Sequence, residues 1–508
     1  MKKNKFQFLF ILGLVLTSFG CKQKTNSEKV LKEDKKPNIL FLFTDDHRRS
    51  SLGSSGVENI QTPNLDKLVE SGTSFTNSYI LGATTAAVCS PSRAMLMTGR
   101  HYFNIEPNVY AQFAYSKEEK GQSDKLTFPE YFKSKGYTTF TTGKQHNGIP
   151  WVERGFDVVK SAFLGGMTRH FGTRVKDYTP EIGWSQPYGD TEKFSSQVFA
   201  DAAIGFLEDY KKEEPFLMYV SFTAPHDPRT PPKAYEGMYS PDSIQVPQNF
   251  MPEHPFPIAD DRIRDEVLVP FPRTEAIVQE EIAKYYEMIA ATDNQIGRII
   301  KALEASGQAE NTIIVFAGDN GLSLGQHGLL GKQNVYEASI GVPLVFTGPN
   351  IPKNKKSPAY AYLHDVFPTL CGLTGFEIPA SVETEDLTPV INGEKESVRN
   401  SMMYAYNSWP GEVYKPKVNN YGGERAVRKG DYKLIVSSKK EIFTYLLFDL
   451  KKDPWELDNL IEDEAYINVK EDLMKELRML IKETGDPADL SKNEFGLFDH
   501  PEDYNFKK

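Results

Sequence analysis

"NILFLFTDDH", Asn38–His47, decides the architecture. An apolar run of strand length ends at Phe43, and Thr44, Asp45, Asp46 and His47 follow at once. A near-continuous apolar strand suits a sheet buried on both faces, and such sheets are largely parallel. The unit recurs. "YTTFTT" leads into Gly143, Lys144, Gln145 and His146, and "PFLMYVSF" leads into Thr223, Ala224, Pro225 and His226. "TIIVFA" leads into Gly318, Asp319, Asn320 and Gly321, and "VPLVFTG" follows as a further strand. Helical patterns lie between them. The clearest is "TEAIVQEEIAKYYEMIAATDNQIGRIIKALEASG", where Ile282, Ile289, Ile296 and Leu303 recur at helical spacing and Gly307 suits a C-terminal cap. Alternating strands and helices predict a layered α/β fold. Ligands of such folds sit beyond the carboxyl ends of the strands, so the polar clusters should meet on one rim of the sheet.

Asp45, Asp46, Asp319 and Asn320 would bring three carboxylates and an amide oxygen to that rim. The set suits a hard divalent cation such as calcium. Zinc fits less well, because no cysteine pair and no His-rich spacing accompanies it. "AGDNG" or "TDDH" alone is a common turn composition. Together, at the ends of buried strands, the carboxylates need a cation to offset their repulsion. Arg93, Lys144, His146, His226 and Lys332 are the cationic candidates, and jointly they would make a pocket for a tetrahedral anion.

One segment asks for a separate explanation. Cys89, in "AAVCSPSRAMLMTGR", is one of three cysteines in 508 residues. "RAMLM" reads as helix with Pro91 in its first turn. Cys89 would lie at or near the helix N-terminus, where backbone N–H groups favour negative charge, and Arg93 could reach back one turn. Cys371, in the apolar "DVFPTLCGLTG", reads as a small core residue. Cys89 has no evident disulfide partner, which points to a chemical purpose.

Composition sets the outer limits. The length allows a large α/β domain plus a smaller one, and a hydrophobic fraction of 39% is ordinary for a globular chain. A net charge of −10, with no basic run, argues against nucleic-acid binding. At the start, Lys2, Lys3 and Lys5 precede an apolar run from Phe6 to Phe19 that is too short for a comfortable span and reads as a signal peptide over residues 1–20. Gly20-Cys21 resembles a bacterial lipoprotein cleavage box. If it is used, Cys21 is lipidated, residues 21–36 form a polar tether, and the chain is held outside the cytoplasm, on the cell envelope or in the periplasm.

"CSPSRAMLMTGR" resembles the signature of the type I, formylglycine-dependent sulfatases: Cys-X-Pro-Ser-Arg followed by Thr-Gly. The likeness extends through "NILFLFTDD", "TGKQH", "APHDP", "AGDNGLSLGQHGLLGKQNVYEASIGVPLV", "GDYKLI" and "LFDLKKDPWELDNL", so it covers most of residues 37–486. It implies an alkaline-phosphatase-like α/β/α sandwich with a mostly parallel central sheet over 37–385. A small C-terminal α+β subdomain over 386–486 and a tail over 487–508 would follow. It implies that a maturation enzyme oxidises Cys89 to formylglycine, the nucleophile. Asp45, Asp46, Asp319, Asn320 and the modified Cys89 would bind one calcium. Arg93 would hold the formylglycine hydrate, and Lys144, His146, His226 and Lys332 would grip the sulfate. One hydroxyl of the hydrate would attack sulfur and the second would later expel sulfate, which a serine could not do. His47 and His327 flank these motifs, as substrate contacts or as braces for their loops.

The substrate expected from this likeness is a sulfated polysaccharide or oligosaccharide, such as the marine algal ulvan or carrageenan, handled by a lipoprotein sulfatase. Three segments mixing aromatics with Arg, Lys and Asn would select the sugar: "HYFNIEPNVYAQFAY", "FLGGMTRHFGTRVKDY" and "YAYNSWPGEVYKPKVNNYGGER". The alternatives are a phosphonate or phosphate-ester hydrolase of the same superfamily, a small-molecule aryl or choline sulfatase, and a glycan-binding lipoprotein without catalysis.

Overall fold

The computed structural model describes residues 1, 35–85, 87–110, 116–258, 262, 264–407, 422–439 and 442–490. The expected signal peptide, Cys21 and most of the expected tether lie outside the described residues, as do most of the third candidate loop and the end of the first. Residues 36–508 cluster as one unit.

In chain order the strands are β1 (Asn38–Thr44), β2 (Gly72–Tyr79), β3 (Gly82–Ala83), β4 (Thr138–Lys144) and β5 (Val158–Phe163). Next come β6 (Lys176–Thr179), β7 (Gly183–Trp184), β8 (Phe216–Ser221), β9 (Thr312–Gly318) and β10 (Leu344–Thr347). Last are β11 (Lys355–Tyr362), β12 (Ser401–Asn407), β13 (Gly422–Lys429), β14 (Tyr432–Lys439) and β15 (Ile442–Asp449). One sheet runs β11-β2-β10-β9-β1-β8-β4-β5-β6-β7. Its centre, β9-β1-β8-β4-β5, is parallel throughout. The "VPLVFTG" strand departs from that rule: β10 is antiparallel to both β9 and β2.

The apolar run of β1 explains its central place. Ile39, Phe41 and Phe43 enter the core on one face, while Leu40 and Leu42 enter the core on the other. This is the period-2 alternation of a strand with both faces covered. Helices Cys89–Thr98 and Val366–Thr374 pack on the first face, the latter carrying buried Cys371. Helices Pro63–Ser71, Ser195–Asp209 and part of Glu275–Ala305 pack on the second. The last is the long predicted helix. The Thr274 hydroxyl caps it by accepting from Ile277 N, and Gly307 lies just past its end at φ +72°. Its four predicted core residues are all buried, Ile296 and Leu303 under the sheet and Ile282 and Ile289 in a smaller cluster.

The C-terminal sheet, β15-β14-β13-β12-β3, is antiparallel except for its last pair, and helix Ile467–Thr484 covers it with Leu473, Leu477 and Ile481. β3 comes from the segment just before Cys89, so the C-terminal lobe is joined to the first lobe by strand pairing rather than by a simple linker near residue 385. A side chain at Gly82 would strike the Ala405 carbonyl, which fixes glycine at this junction. Among the described residues no helix is long and apolar enough to cross a membrane.

Candidate active site

β9, β1, β8 and β4 are neighbours and parallel, so their carboxyl ends open onto one rim. Asp45 and Asp46 follow β1, Asp319 and Asn320 follow β9, His226 lies beyond β8, and Lys144 closes β4. Gly143 makes the last of these placements possible. It sits at φ +88° in a β-bulge, and a side chain there would overlap the Ser221 carbonyl. Asp46 and His146 both adopt φ +61°, an uncommon setting for residues with a side chain that clusters at functional sites.

Cys89 is the first residue of helix Cys89–Thr98 and is buried. Lys144 Nζ lies 3.5 Å from its Sγ and His146 Nδ1 lies 3.4 Å away. Arg93, one turn on, donates from Nε to Asp319 (2.9 Å) and from Nη1 to the Ser221 hydroxyl (2.5 Å). Lys144 Nζ meets Asp45 at 2.5 Å, and Lys332 Nζ pairs with Asp46. His226 donates from Nδ1 to the Asp227 carbonyl (2.8 Å), and its Nε2 lies 3.8 Å from Asp46. The six anion-binding and nucleophile candidates therefore converge with the acidic set.

Burial and charge tune these groups. Burial opposes ionisation of Asp45, yet Lys144, His226 and Arg93 hold it well below the usual carboxylate range. Burial and neighbouring Asp45 push Asp319 up to about 7 despite Arg93. Burial, Lys144 and Arg93 keep His146 neutral. Burial also opposes charge on His226, but Asp46 raises its pKa overall. Burial raises the Cys89 thiol against the pull of Lys144 and Lys332, so it stays protonated at neutral pH.

The acidic corner fits a hard cation. Asp45, Asp46 and Asp319 each offer an oxygen, all within 4.8 Å of one another. Asp45 Oδ1 and Asn320 Oδ1 are buried without a partner. Hard oxygen donors with unused lone pairs are what a calcium-sized ion requires.

Residues 37–376 match the family described as Sulfatase, and residues 325–483 match a family described as N-sulphoglucosamine sulphohydrolase, C-terminal. The chain belongs to the sulfatase family. It is 30% identical to an ulvan-active sulfatase of Formosa agariphila, over 94% of this chain and 87% of that one. It is 28% identical to an N-acetylglucosamine-6-O-sulfatase of Bacteroides thetaiotaomicron, over 95% and 91%. A solved structure of BT4656 in complex with its substrate D-glucosamine-2-N,6-O-disulfate superposes with a TM-score of 0.73 at 25% identity, covering 89% of this chain and 98% of that one. The sulfatase fold, an alkaline-phosphatase-like α/β/α sandwich with a smaller C-terminal subdomain, is thus the one adopted here.

Two candidates of this sulfatase are occupied elsewhere. The His47 ring bonds the Ser51 carbonyl through Nε2 (2.9 Å) and meets Phe316 edge-on. The His327 ring stacks on Tyr336 at 4.0 Å and accepts at Nε2 from Asn249 (3.0 Å). Burial pushes them down to about 4 and about 3, so both rings are neutral, and His47 Nδ1 has no hydrogen-bond partner. Other positioning residues escaped the sequence reading. The Tyr285 hydroxyl donates to the Asp46 carbonyl (2.7 Å) and accepts from Arg48 N (3.1 Å). His170, within the second candidate loop, bonds the His226 carbonyl through Nε2 (2.8 Å). Asn147 donates to the Ser90 carbonyl (2.9 Å) and Ser92 to that of Asp319 (2.5 Å), tying the Cys89 helix to the rim.

Proposed function

We propose that this sulfatase hydrolyses sulfate esters of a sulfated polysaccharide or its oligosaccharides, with Cys89 as the precursor of its nucleophile. The observation that carries the reading is the placement of Cys89. It is a buried, protonated thiol at a helix N-terminus, flanked by Lys144 and His146, and Cys371 is the only other free cysteine among the described residues. Burial raises the pKa of this thiol despite Lys144 and Lys332, the opposite of the depression that activates a thiolate nucleophile. Oxidised to formylglycine by a maturation enzyme, position 89 would supply a hydrated aldehyde with one hydroxyl to attack sulfur and a second to expel sulfate.

The chain's own residues perform the rest. Neutral His146, beside position 89, can take a proton there. His226, with Nδ1 held by Asp227 and Nε2 without a hydrogen-bond partner, can donate a proton to the leaving alcohol. Lys144, Lys332 and Arg93 place three fixed positive charges where sulfate oxygens gain negative charge. Asp45, Asp46, Asp319 and Asn320 would hold calcium, which supplies Lewis-acid polarisation beside position 89.

Similarity to an ulvan-active sulfatase across most of both chains supports a glycan substrate, and a marine algal one in particular. The net charge of −10 repels a polyanion at a distance, but salt screens that field beyond about 8–10 Å and leaves the local cations in command. Export and lipidation at Cys21, on the bacterial cell envelope, complete the reading, because they would place the enzyme where such glycans pass. The test is sulfate release by matured enzyme from ulvan and carrageenan oligosaccharides, beside aryl sulfate, choline sulfate and aryl phosphate. The reading expects the highest kcat/KM on one of the oligosaccharides. A wide preference for a small sulfate would contradict the glycan assignment, and a preference for the phosphate would contradict the sulfatase chemistry assigned to this site.

A further inference from the structure

A second cleft, of about 950 Å³, is lined by none of the residues assigned to catalysis or metal binding. Its volume is that of a ligand site. The segment after Asp46 forms one wall and the turn at Pro454–Glu456 forms another.

Three residues in its lining carry buried polar atoms without a hydrogen-bond partner: Nη1 of Arg48, Nη1 of Arg49 and Oδ1 of Asn249. Each side chain is tethered through another of its atoms. Arg48 Nε donates to Ser51 (2.9 Å) and pairs with Glu58 (3.0 Å). Arg49 Nη2 pairs with Glu337 (3.2 Å). Asn249 Nδ2 donates to the Trp455 carbonyl (2.8 Å) as well as to His327. The unused atoms are therefore held in fixed positions. Buried polar groups are rarely left unpaired, and three around one cleft point to a ligand that completes them. Half-buried Trp455 adds an aromatic surface to the lining, and exposed Lys356 adds a cation.

We propose that this cleft is a second, non-catalytic binding site for an anionic saccharide segment. The proposal rests on the glycan reading above. Glu58, Glu337 and Glu456 also line the cleft, but each is already paired, with Arg48, Arg49 and Lys433. The free Nη1 groups and Lys356 therefore remain to donate to sulfate or carboxylate substituents, the amide oxygen accepts from a sugar hydroxyl, and the indole offers a face to a pyranose ring. Holding one part of a polymer here raises the local concentration of the remainder near Cys89 without adding a contact at the reacting sulfur.

The test uses the full-length Cys89→Ala protein, which binds without turnover, titrated by calorimetry with a sulfated hexasaccharide and, separately, with sodium sulfate. Arg49→Gln, Lys356→Gln and Trp455→Ala are made in the same background. Each is expected to weaken one class of hexasaccharide binding by about tenfold, the scale of one charge-assisted hydrogen bond or stacking contact. Lys356 and Trp455 are not fully buried, so the test survives if Arg49→Gln fails to fold. Unchanged hexasaccharide binding in all three variants would overturn the proposal, as would sodium sulfate binding as tightly as the hexasaccharide. Sulfate release from the same hexasaccharide by matured wild-type enzyme is measured in parallel. Its absence would count against the proposed function, and the calorimetry reads the cleft by itself.

Discussion

Two buried clusters of charge behave differently in this sulfatase. At the rim, Asp45, Asp46 and Asp319 crowd together with Arg93, Lys144, Lys332 and His226. At the junction of the two lobes, Glu337 collects Arg49 (3.2 Å), Arg428 (3.2 Å), Lys433 (3.1 Å) and the Tyr79 hydroxyl (2.7 Å), while Glu456 takes Lys433 (2.7 Å) and Glu337 N (2.9 Å). The carboxylates of the junction are saturated, with partners on both oxygens of each, and the atoms left without a hydrogen bond, Arg49 Nη1 and Arg428 Nε, belong to its cations. Burial opposes ionisation of Glu337, and the three surrounding cations still hold its carboxyl far below the usual range. The rim is not saturated. Asp45 Oδ1, Arg93 Nη2, Asn320 Oδ1 and His226 Nε2 have no hydrogen-bond partner, and Arg93 Nη2 and Asp45 Oδ1 face each other only at 3.8 Å. The structural cluster satisfies its carboxylates, whereas the reactive one keeps oxygen acceptors for what it binds.

That contrast can be broken from either side. The largest effect should come from removing the ion at the rim. A chelator should abolish turnover, and calcium should restore it. Restoration by zinc and not by calcium would contradict the oxygen-donor reading. Next, Lys332→Ala removes one anion-stabilising charge and should lower kcat/KM by roughly 10²–10³ while the urea midpoint moves little, since the adjacent site still holds a cation. Steady-state kinetics and urea unfolding on the same preparation check both halves.

Glu337→Gln should show the reverse. It takes the carboxylate from buried Lys433, which keeps Glu456, and from half-buried Arg49 and Arg428, and should cost ~3 kcal/mol of stability, with kcat per folded molecule near that of the parent. A loss of kcat at unchanged stability would make the junction part of the reaction machinery.

The smallest effect is in pH. Burial pushes His47 and His170 down to about 4, below the ordinary 6.5. Their depressed values mean that protons bind the unfolded chain first. Stability should be level with pH above about 6.5 from these groups, and should fall as pH drops towards 4. Asp319, raised to about 7, acts in the opposite sense over the same window, so urea midpoints at pH 7.5, 6.5 and 5.5 are compared between the parent and His170→Asn, which share it. A fall with pH as steep in the variant as in the parent would contradict neutral burial of the His170 ring.

The contrast also explains what the sequence could disclose. The rim carboxylates stand just past apolar strands, so "NILFLF" before Asp45 and "TIIVFA" before Asp319 announce both the sheet and its reactive edge, whereas Arg93 sits on the Cys89 helix and Lys332 lies in the long segment after β9. The junction has no such grammar. Arg49, Tyr79, Glu337, Arg428 and Glu456 are scattered over 408 positions and meet only when the second lobe docks. Tyr285 was hidden differently: it lies on the apolar face of the long helix, where a tyrosine bonding the Asp46 carbonyl has the same pattern as one that only packs. β3 is two residues long, too short for any periodicity, and yet it joins the lobes beside Cys89. The antiparallel setting of β10 is equally invisible, since an apolar run specifies burial and not direction.

The central claim is that Cys89 is a precursor and not the nucleophile itself. The most direct measurement is a mass spectrum of the Cys89 peptide from active enzyme, with and without an aldehyde-trapping hydrazine, across preparations made with different amounts of a formylglycine-generating enzyme. The account predicts an aldehyde at position 89 whose fraction scales with kcat. Full activity in a preparation whose peptide carries only the free thiol would contradict it.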